Sequence, residues 1–360
     1  MPQQHAVRRD RLRALLAEAD LDAALITHRV NVRYLTGFTG SNAALLVTAS
    51  TAVLATDSRY AVAAAEQASD VEVLLARGVA ASLAERVERE QVARAGYETH
   101  VLSIDDARAV EQASPTVTWT SLGRAVEALR TVKDDTELEL LGRATAAGDA
   151  ALTDLLGGLT VGQSERRIAR RLERLLVEHG ADAVGFPTIV AAGPHGAMPH
   201  HEPCDRPVGR GELVTIDFGG QVGGYHADCT RTVLVGAAPE QWQAELYELV
   251  RTAQQAGTAA LAPGARAADV DAAARRMIEQ AGYGEAFGHG LGHGVGLEVH
   301  EEPLLAASSP ATLTDRVPLT VEPGVYLPGR GGVRIEDTLV VRPGGPELLT
   351  TTTKDLLVLG

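Results

Sequence analysis

Cysteine and aromatic side chains are scarce in this chain, with two cysteines and 4% aromatic residues among 360 positions. Cys204 and Cys229 do not form a Cys-x-x-Cys pair, so they build no disulfide framework, and we expect a reducing, cytoplasmic compartment. Basic residues are also outnumbered, since 33 Lys and Arg face 47 Asp and Glu, for a net charge of −14. Such a surface repels a phosphate backbone, and we expect no nucleic-acid partner.

Long apolar runs are missing as well. None approaches the roughly 20 residues that cross a bilayer, and residues 1–10 lack the apolar core of a signal peptide. We therefore expect no membrane partner. What is present is an ordinary globular composition, 45% hydrophobic and 22% charged, over a length typical of two domains.

The two halves of the chain differ in their patterns. Ahead of residue 131, short β-type runs alternate with helical ones, which predicts an α/β domain; residues 31–37 fit no regular period, so we expect a loop there. The polar stretch 131–136 marks a boundary, giving domains 1–131 and 132–360. In the second half, four helical patterns are grouped with glycine-punctuated β segments, which indicates an α+β catalytic domain.

The most informative passage is residues 213–235, where two β-rich arms flank a glycine-rich turn and predict a hairpin. Asp217 and Asp228 are equidistant from a turn centre that we place between Val222 and Gly223. Opposed residues of an antiparallel pair have Cβ atoms about 5 Å apart on one face, so the two carboxylates would converge. A solvent-facing position explains one such aspartate, whereas a pair inside apolar strands indicates a bound cation.

A second hairpin lies near the end of the chain. Glu322 and Glu336 are symmetric about Gly329. Pro323 has no N–H to donate, so it has to lie at a bulge or a strand end. An ion pair with an arginine of the same hairpin explains either glutamate alone. Two hairpins that each present two carboxylates instead predict a shared site.

Between the hairpins, residues 288–300 are glycine-rich and contain His289, His293 and His300, three of the 11 histidines in the chain. Glycine lets the backbone approach a centre closely or adopt positive φ. One histidine alone would be explained by ordinary hydrogen bonding, but three beside four candidate acidic ligands favour a site. The segment lacks the Lys-Ser/Thr ending of a phosphate loop, and no strand-GxGxxG-helix unit indicates a dinucleotide fold.

Oxygen ligands with one imidazole suit manganese, cobalt or zinc. Four carboxylates carry more negative charge than one divalent ion requires, so two ions bridged by shared carboxylates fit better. Such a pair would activate water, polarise a carbonyl and stabilise the developing oxyanion. The residues therefore predict a hydrolase.

These motifs resemble those of the creatinase/aminopeptidase P branch of the pita-bread metallopeptidases, and the resemblance covers nearly the whole chain. It implies a creatinase-like N-terminal α/β domain followed by an α+β pita-bread catalytic domain. It also implies two divalent metal ions, with manganese expected ahead of cobalt or zinc. The matching segments are residues 216–219, 227–232, 288–296, 321–324 and 334–337, together with 31–38 and 56–60 in the first half.

The resemblance also implies roles for individual residues. Glu322 would handle the proton of the nucleophilic water, and Arg334 would orient Glu336 or hold a substrate carboxyl group. The implied metal ligands are Asp217 on one ion, Asp228 and Glu336 bridging both, and His293 with Glu322 on the second. The implied catalytic residues are His200, His289, His300, Glu322 and Arg334, with His201 a structural neighbour.

Cys229 departs from the family pattern, which usually has an apolar residue directly after the bridging carboxylate Asp228. Strand alternation points Cys229 away from Asp228, so we expect a small buried side chain rather than a ligand.

The activity implied by the resemblance is cleavage between an N-terminal residue and a following proline, by a homodimer. Prolidases commonly place an arginine shortly after the position of His300, and residues 301–305 contain none. We therefore predict an aminopeptidase P-like enzyme acting on longer peptides, with the Xaa-Pro dipeptidase (prolidase) as the alternative. A non-enzymatic peptide-binding module and metal-free, creatinase-like hydrolysis stay open, although five filled ligand positions favour the metallopeptidase.

Overall fold

The computed structural model describes residues 2–360. The chain divides into two compact units, one that ends at Arg130 and one that begins at Thr131. No helix within the described range has both the length and the apolar character of a membrane span.

The first unit contains one six-stranded sheet and its helices. The strands are β1 (Ala23–Ile26), β2 (Ala43–Thr48), β3 (Ala52–Thr56), β4 (Glu72–Leu75), β5 (Arg94–Tyr97) and β6 (Thr118–Ser121). The helices are α1 (Pro2–Glu18), α2 (Arg29–Thr36), α3 (Ala61–Gln67), α4 (Val79–Arg89), α5 (Ile104–Ala113) and α6 (Ala125–Thr131). The strand order is β4-β3-β2-β1-β5-β6, in which β2 runs antiparallel to both its neighbours.

The centre of this sheet is buried on both faces. Every residue of β1 and β2 is buried, which accounts for their nearly continuous apolar sequence. Leu83 and Val87 of α4 and Val110 of α5 pack into the same core cluster as strand residues of this sheet.

The predicted loop at residues 31–37 is wrong, because this segment forms most of α2. Val32 and Leu35 are buried at helical spacing, and the helix ends at Gly37, whose φ of 81° only glycine adopts freely. A helix of eight residues is too short for its apolar period to be evident in the sequence.

The second unit contains four helices and fourteen strands. The helices are α7 (Asp135–Leu156), α8 (Glu165–Glu178), α9 (Gln241–Ala259) and α10 (Ala267–Gln280). The strands of its first half are β7 (Ala183–Val184), β8 (Ile189–Ala192), β9 (Glu212–Phe218), β10 (Gly220–Val222), β11 (Tyr225–His226) and β12 (Cys229–Val235). Those of its second half are β13 (Gly292–Gly294), β14 (Glu301–Leu305), β15 (Pro318–Val321), β16 (Gly324–Leu327), β17 (Gly331–Arg334), β18 (Asp337–Val340), β19 (Glu347–Leu348) and β20 (Val358–Leu359).

Two cores hold the second unit together. In one, α7 and α8 pack against the sheet β20-β12-β9-β8. In the other, α9 and α10 pack against the sheet β14-β13-β15-β18-β19. The apolar sides of these four helices pack against the sheets, and they correspond to the 3.6-residue patterns visible in the sequence. The two carboxylate-bearing hairpins belong to different sheets, so the site depends on how these halves join.

Candidate active site

The first hairpin presents Asp217 and Asp228, but its register differs from the predicted one. Asp217 of β9 pairs with Thr230 of β12, and the β10–β11 pair continues this register. The turn centre therefore lies between Gly223 and Gly224, whose φ values of 57° and 85° suit a two-residue type I′ turn. The predicted opposition of Asp217 and Asp228 is wrong by two positions. A shift of two residues preserves the face of a strand, and both carboxylates still line one cavity.

The second hairpin has the predicted register. The pairs of β15 with β18 and of β16 with β17 are all symmetric about Gly329, which brings Glu322 and Glu336 opposite each other. Pro323 lies in the break between β15 and β16, at a strand end as predicted. The Glu336 amide donates to the Thr230 carbonyl at 3.1 Å, and Thr230 Oγ1 donates to Glu336 Oε2 at 2.7 Å. These bonds join the two hairpins at their carboxylates.

His293 of β13 faces the carboxylates with one particular nitrogen. Its Nδ1 lies 3.0 Å from the carbonyl oxygen of Gly294. A carbonyl can only accept, so Nδ1 carries the proton and Nε2 of the neutral ring presents a lone pair. Nε2 lies 3.6 Å from Asp228 Oδ2 and 3.3 Å from Glu322 Oε1. A bound cation would satisfy all three acceptors at once.

The raised pKa values of three carboxylates also indicate that the site favours a bound positive charge. Burial raises the pKa of Asp228 well above its usual value, and the charge of Glu336 adds to the rise. The pKa of Glu336 is also raised well above its usual value, by burial and then by the charges of Glu322 and Asp217. For Asp217, burial raises the pKa by more than Arg334 lowers it. A divalent cation among these groups would remove the repulsion between them.

Glu322 has the opposite shift. Burial raises its pKa, but when His293 is protonated its hydrogen bond and its positive charge outweigh burial and place the pKa of Glu322 below its usual value. Burial lowers the pKa of His293, and Glu322 reverses the direction and raises it. Glu322 is therefore the carboxylate of this group that ionises most readily, and an ionised carboxylate can bind a cation or accept a proton.

The donor set fits divalent cations. Asp228, His293 and Glu336 each offer a donor atom, and these atoms lie within 4.8 Å of one another. Asp217 Oδ2 accepts from Arg334 at 2.6 Å, while the buried Asp217 Oδ1 has no hydrogen-bond partner within residues 2–360. Buried polar atoms are rarely left unpaired, so this oxygen is aimed at a ligand. Four carboxylates with one imidazole form the oxygen-rich set that manganese, cobalt and zinc accept.

A hydrogen-bonded row of side chains supports Asp217 from one side. Arg334 donates to Asp217 through Nη2 and to the Tyr326 hydroxyl through Nη1 at 3.0 Å. The hydroxyl lies 2.8 Å from His289 Nε2 and donates to it, because His289 Nδ1 gives its proton to the Gly290 carbonyl at 2.7 Å. Burial raises the pKa of Tyr326 to about 12, so the hydroxyl stays protonated.

Tyr326 is the site residue that our sequence analysis missed. It lies four positions after Glu322 and is buried in β16. The two-residue alternation of a strand places both on one face, and this signal could have identified Tyr326.

The remaining predicted residues complete the cavity wall. The His300 ring centroid lies 4.5 Å from that of His293, and burial lowers the pKa of His300. The cavity has a volume of about 870 Å³ and is also lined by His200. It brings together every predicted site residue: His200, Asp217, Asp228, His289, His293, His300, Glu322, Arg334 and Glu336.

Cys229 is not part of this wall. It is 5% exposed and packs in the core with α7 and α8, as predicted. Burial raises the pKa of its thiol well above the usual value, so it remains protonated and acts as a small apolar side chain.

Comparisons with known proteins match both units. Residues 139–343 match the family described as Metallopeptidase family M24, and residues 8–132 match the Creatinase/Prolidase N-terminal domain. A relative from Bacillus subtilis (strain 168), the uncharacterized peptidase YqhT, is 36% identical over 351 residues, which are 97% of this chain and 99% of the relative.

Two solved structures are similar over nearly their whole length. The Xaa-Pro dipeptidase from Bacillus anthracis has a TM-score of 0.95 and 36% identity, and the match covers 99% of this chain and 100% of that one. The X-Pro aminopeptidase from Thermotoga maritima MSB8 has a TM-score of 0.91 and 35% identity, covering 98% and 99%. The predicted fold class, a creatinase-like domain followed by a pita-bread domain, is confirmed by these matches.

Proposed function

Because the chain belongs to metallopeptidase family M24, we propose that it hydrolyses the bond between an N-terminal residue and a following proline. The hydrolase class was predicted from the sequence and is confirmed by the family. The observation that carries the proposal is the convergence of four carboxylates and one imidazole in a single cavity. Two similar structures are an Xaa-Pro dipeptidase and an X-Pro aminopeptidase, which supports proline after the scissile bond.

Five residues are proposed to hold two divalent ions, with manganese expected first and cobalt or zinc as alternatives. Bound ions would supply Lewis acidity toward the scissile carbonyl and the attacking water. The proposed ligands are Asp217 on one ion, Asp228 and Glu336 on both, and His293 with Glu322 on the other. Their fit rests on the clustered donor atoms and on the unpaired Asp217 oxygen.

Other residues are proposed to move protons and hold the substrate. Glu322 would accept the proton of the attacking water, because its carboxylate lines the same cavity as the other proposed metal ligands. His289 and His300 would contact the substrate as neutral rings, because burial lowers both pKa values. His200 lines the same cavity and would act as a further active-site histidine. Arg334 would act as a positioning residue for Asp217, to which it donates directly.

The lining of the cavity favours peptides longer than two residues. A dipeptide has a free carboxylate directly after proline, and an arginine or lysine would bind it well. Among the described residues that line the cavity, the single arginine is Arg334, and it already bonds Asp217 and Tyr326. This supports an aminopeptidase P-like preference. The second candidate, an Xaa-Pro dipeptidase, is favoured by the similarity to the B. anthracis structure.

The test is a kinetic comparison of an Xaa-Pro dipeptide with the matching Xaa-Pro-Xaa tripeptide, after metal removal and readdition of manganese, cobalt or zinc. We expect no turnover without metal and a higher kcat/KM for the tripeptide with manganese. An Xaa-Ala-Xaa tripeptide is the control for proline. A higher kcat/KM for the dipeptide would favour prolidase, and full activity in chelator would exclude the metallopeptidase mechanism.

Three predictions extend the proposal. We propose a homodimer, which light scattering of the purified chain would test. We propose a cytoplasmic location, which fractionation of the source cells would test. We also propose domain limits of 1–131 and 132–360, which limited proteolysis with mass spectrometry would test.

A further inference from the structure

A second group of metal-binding side chains lies outside the carboxylate centre, at the start of α8. Glu165 is the first residue of this helix and is completely buried. His195 comes from the 3-10 turn that follows β8, and His201 and Cys204 come from the loop after it. The four residues each offer one donor atom, and these atoms lie within 4.8 Å of one another.

The donors all converge on the Glu165 carboxylate. Oε1 lies 2.9 Å from His195 Nδ1 and accepts from the Ala192 amide at 2.8 Å. Oε2 lies 2.8 Å from His201 Nε2 and accepts from Cys204 Sγ at 3.2 Å. The two imidazole centroids are 4.2 Å apart. Burial raises the pKa of Glu165, but these hydrogen bonds outweigh it and keep the carboxylate ionised.

We propose that Glu165, His195, His201 and Cys204 bind one divalent cation of the zinc class. Two imidazoles, a thiolate and a carboxylate make a closed, four-coordinate set of the kind that holds structural zinc. The Ala192 amide donates to Oε1 and the Cys204 amide donates to Oε2 at 3.3 Å, so backbone bonds on both oxygens fix the orientation of the carboxylate beside the other three donors.

The balance of charge and protons is favourable. The carboxylate and the thiolate together carry two negative charges, which the cation neutralises, so the cluster around the buried Glu165 has no net charge. On binding, the Cys204 thiol releases its proton to solvent. Each imidazole keeps one proton and carries it on the nitrogen that does not face the cation. A sulfur ligand also favours zinc over manganese, whereas the carboxylate centre contains no sulfur.

The bound cation would link the loop that carries His201 and Cys204 to the start of α8. Cys204 O already accepts from the Arg166 amide at 3.0 Å, so this end of the loop is held by backbone as well. His201 directly follows His200, and both line the catalytic cavity. The bound cation would therefore fix the segment that carries His200. The inference rests on the donor cluster itself and does not depend on the peptidase activity.

The test is a cobalt titration of the metal-free full-length chain, followed by absorbance. Thiolate bound to Co²⁺ produces a near-ultraviolet charge-transfer band that carboxylates and imidazoles do not produce. We expect this band to level off at the amplitude of one thiolate-bound cobalt per chain, whatever number of cobalt ions the carboxylate centre takes up, and to disappear when Zn²⁺ is added. The Cys204→Ser variant should lose the band but keep the visible absorption of cobalt in the carboxylate centre.

Matched variants separate the possible outcomes. Cys229→Ala removes the other thiol and should keep the band, while Glu336→Gln disturbs the carboxylate centre and should also keep it. His195 is 26% exposed, so His195→Ala is the milder variant if Cys204→Ser does not fold. It should weaken cobalt binding at this site by about tenfold or more. Absence of the band in the unmodified chain, or its persistence in Cys204→Ser, would show a hydrogen-bond network only and overturn the proposal.

Discussion

The two hairpins that present the carboxylates are similar in length but turn in different ways. The first turns through Gly223 and Gly224, both at positive φ, whereas the second turns through three residues centred on Gly329. The number of residues in the turn sets which side chains face each other. Glu322 and Glu336 are consequently opposed, while Asp217 faces Thr230 and Asp228 lies two positions before Thr230, nearer the turn.

This difference gives the four carboxylates unequal surroundings. Asp217 lies beside Arg334, whose guanidinium offsets part of the effect of burial on its pKa. Asp228 lies next to Glu336, whose charge adds to the effect of burial and raises the pKa of Asp228. Burial and the charges of Glu322 and Asp217 raise the pKa of Glu336. The site therefore contains one carboxylate supported by an arginine and a crowded group whose repulsion a cation would offset.

The largest expected effect concerns one carboxylate from each hairpin. Asp228→Asn and Glu336→Gln should each abolish turnover and lower the bound metal, because a proposed bridging ligand loses its charge. Metal analysis and kcat/KM measured on folded variants check this. Glu302→Gln, at an exposed position of β14, is the control and should retain both properties. Substantial turnover by either variant would contradict the bridging assignment.

The next effect separates metal binding from proton transfer within the second hairpin. Glu322→Gln should lower kcat by about 10²–10⁴-fold, the range for loss of a general acid or base. The fall in kcat should exceed the fall in metal content, since the amide oxygen can still coordinate. Parallel loss of both quantities would show that Glu322 acts as a ligand alone.

A smaller effect is expected where the second hairpin supports the first. Arg334→Lys should lower kcat/KM by about 10–100-fold, because a lysine cannot bond Asp217 and Tyr326 with the same planar fork. Tyr326→Phe removes only the hydroxyl and should cost less. Titration with manganese tells positioning from catalysis, since a positioning role predicts weaker metal binding in Arg334→Lys. Unchanged metal affinity would argue against it.

The smallest effect is on stability and compares the two turns directly. Gly329→Ala should destabilise the chain by about 1–2 kcal/mol, because alanine is strained at a φ of 74°. No atom lies within 4 Å of the added Cβ, so backbone strain is the whole cost. Gly223→Ala should cost about 1 kcal/mol more, because its Cβ would lie 2.9 Å from Leu140 Cδ2. Urea unfolding of both variants measures the difference. Equal losses would show that the contact with Leu140 relaxes freely.

The same turns explain what the sequence can and cannot predict. Glu322 and Glu336 lie at equal distances from Gly329 in the sequence, so the sequence alone predicts that they face each other. In the first hairpin several glycines compete for the turn, and the adjacent Gly223 and Gly224 mark its centre only once the need for two positive φ values is applied. The predicted register was wrong because that requirement was not used.

Sites built from residues that are distant in the sequence are the second kind of feature that the sequence does not predict. Glu165, His195, His201 and Cys204 come from a helix start, a 3-10 turn and a loop, so no periodic pattern connects them. Their convergence depends on packing between α8 and the end of β8. The carboxylate centre was predictable because its carboxylates lie in or directly beside paired strands of two hairpins, where local pairing already implies proximity.

The bond between Glu336 and Thr230 joins positions 106 residues apart. The ribosome synthesises the first hairpin long before the second. Contacts between remote parts of a chain also form late, because a long loop must close first. Until the second hairpin is present, Asp217 and Asp228 lack the two glutamates that complete the carboxylate centre. A growing polypeptide of this protein therefore has no hydrolytic centre until the hairpin that carries Glu336 has been synthesised.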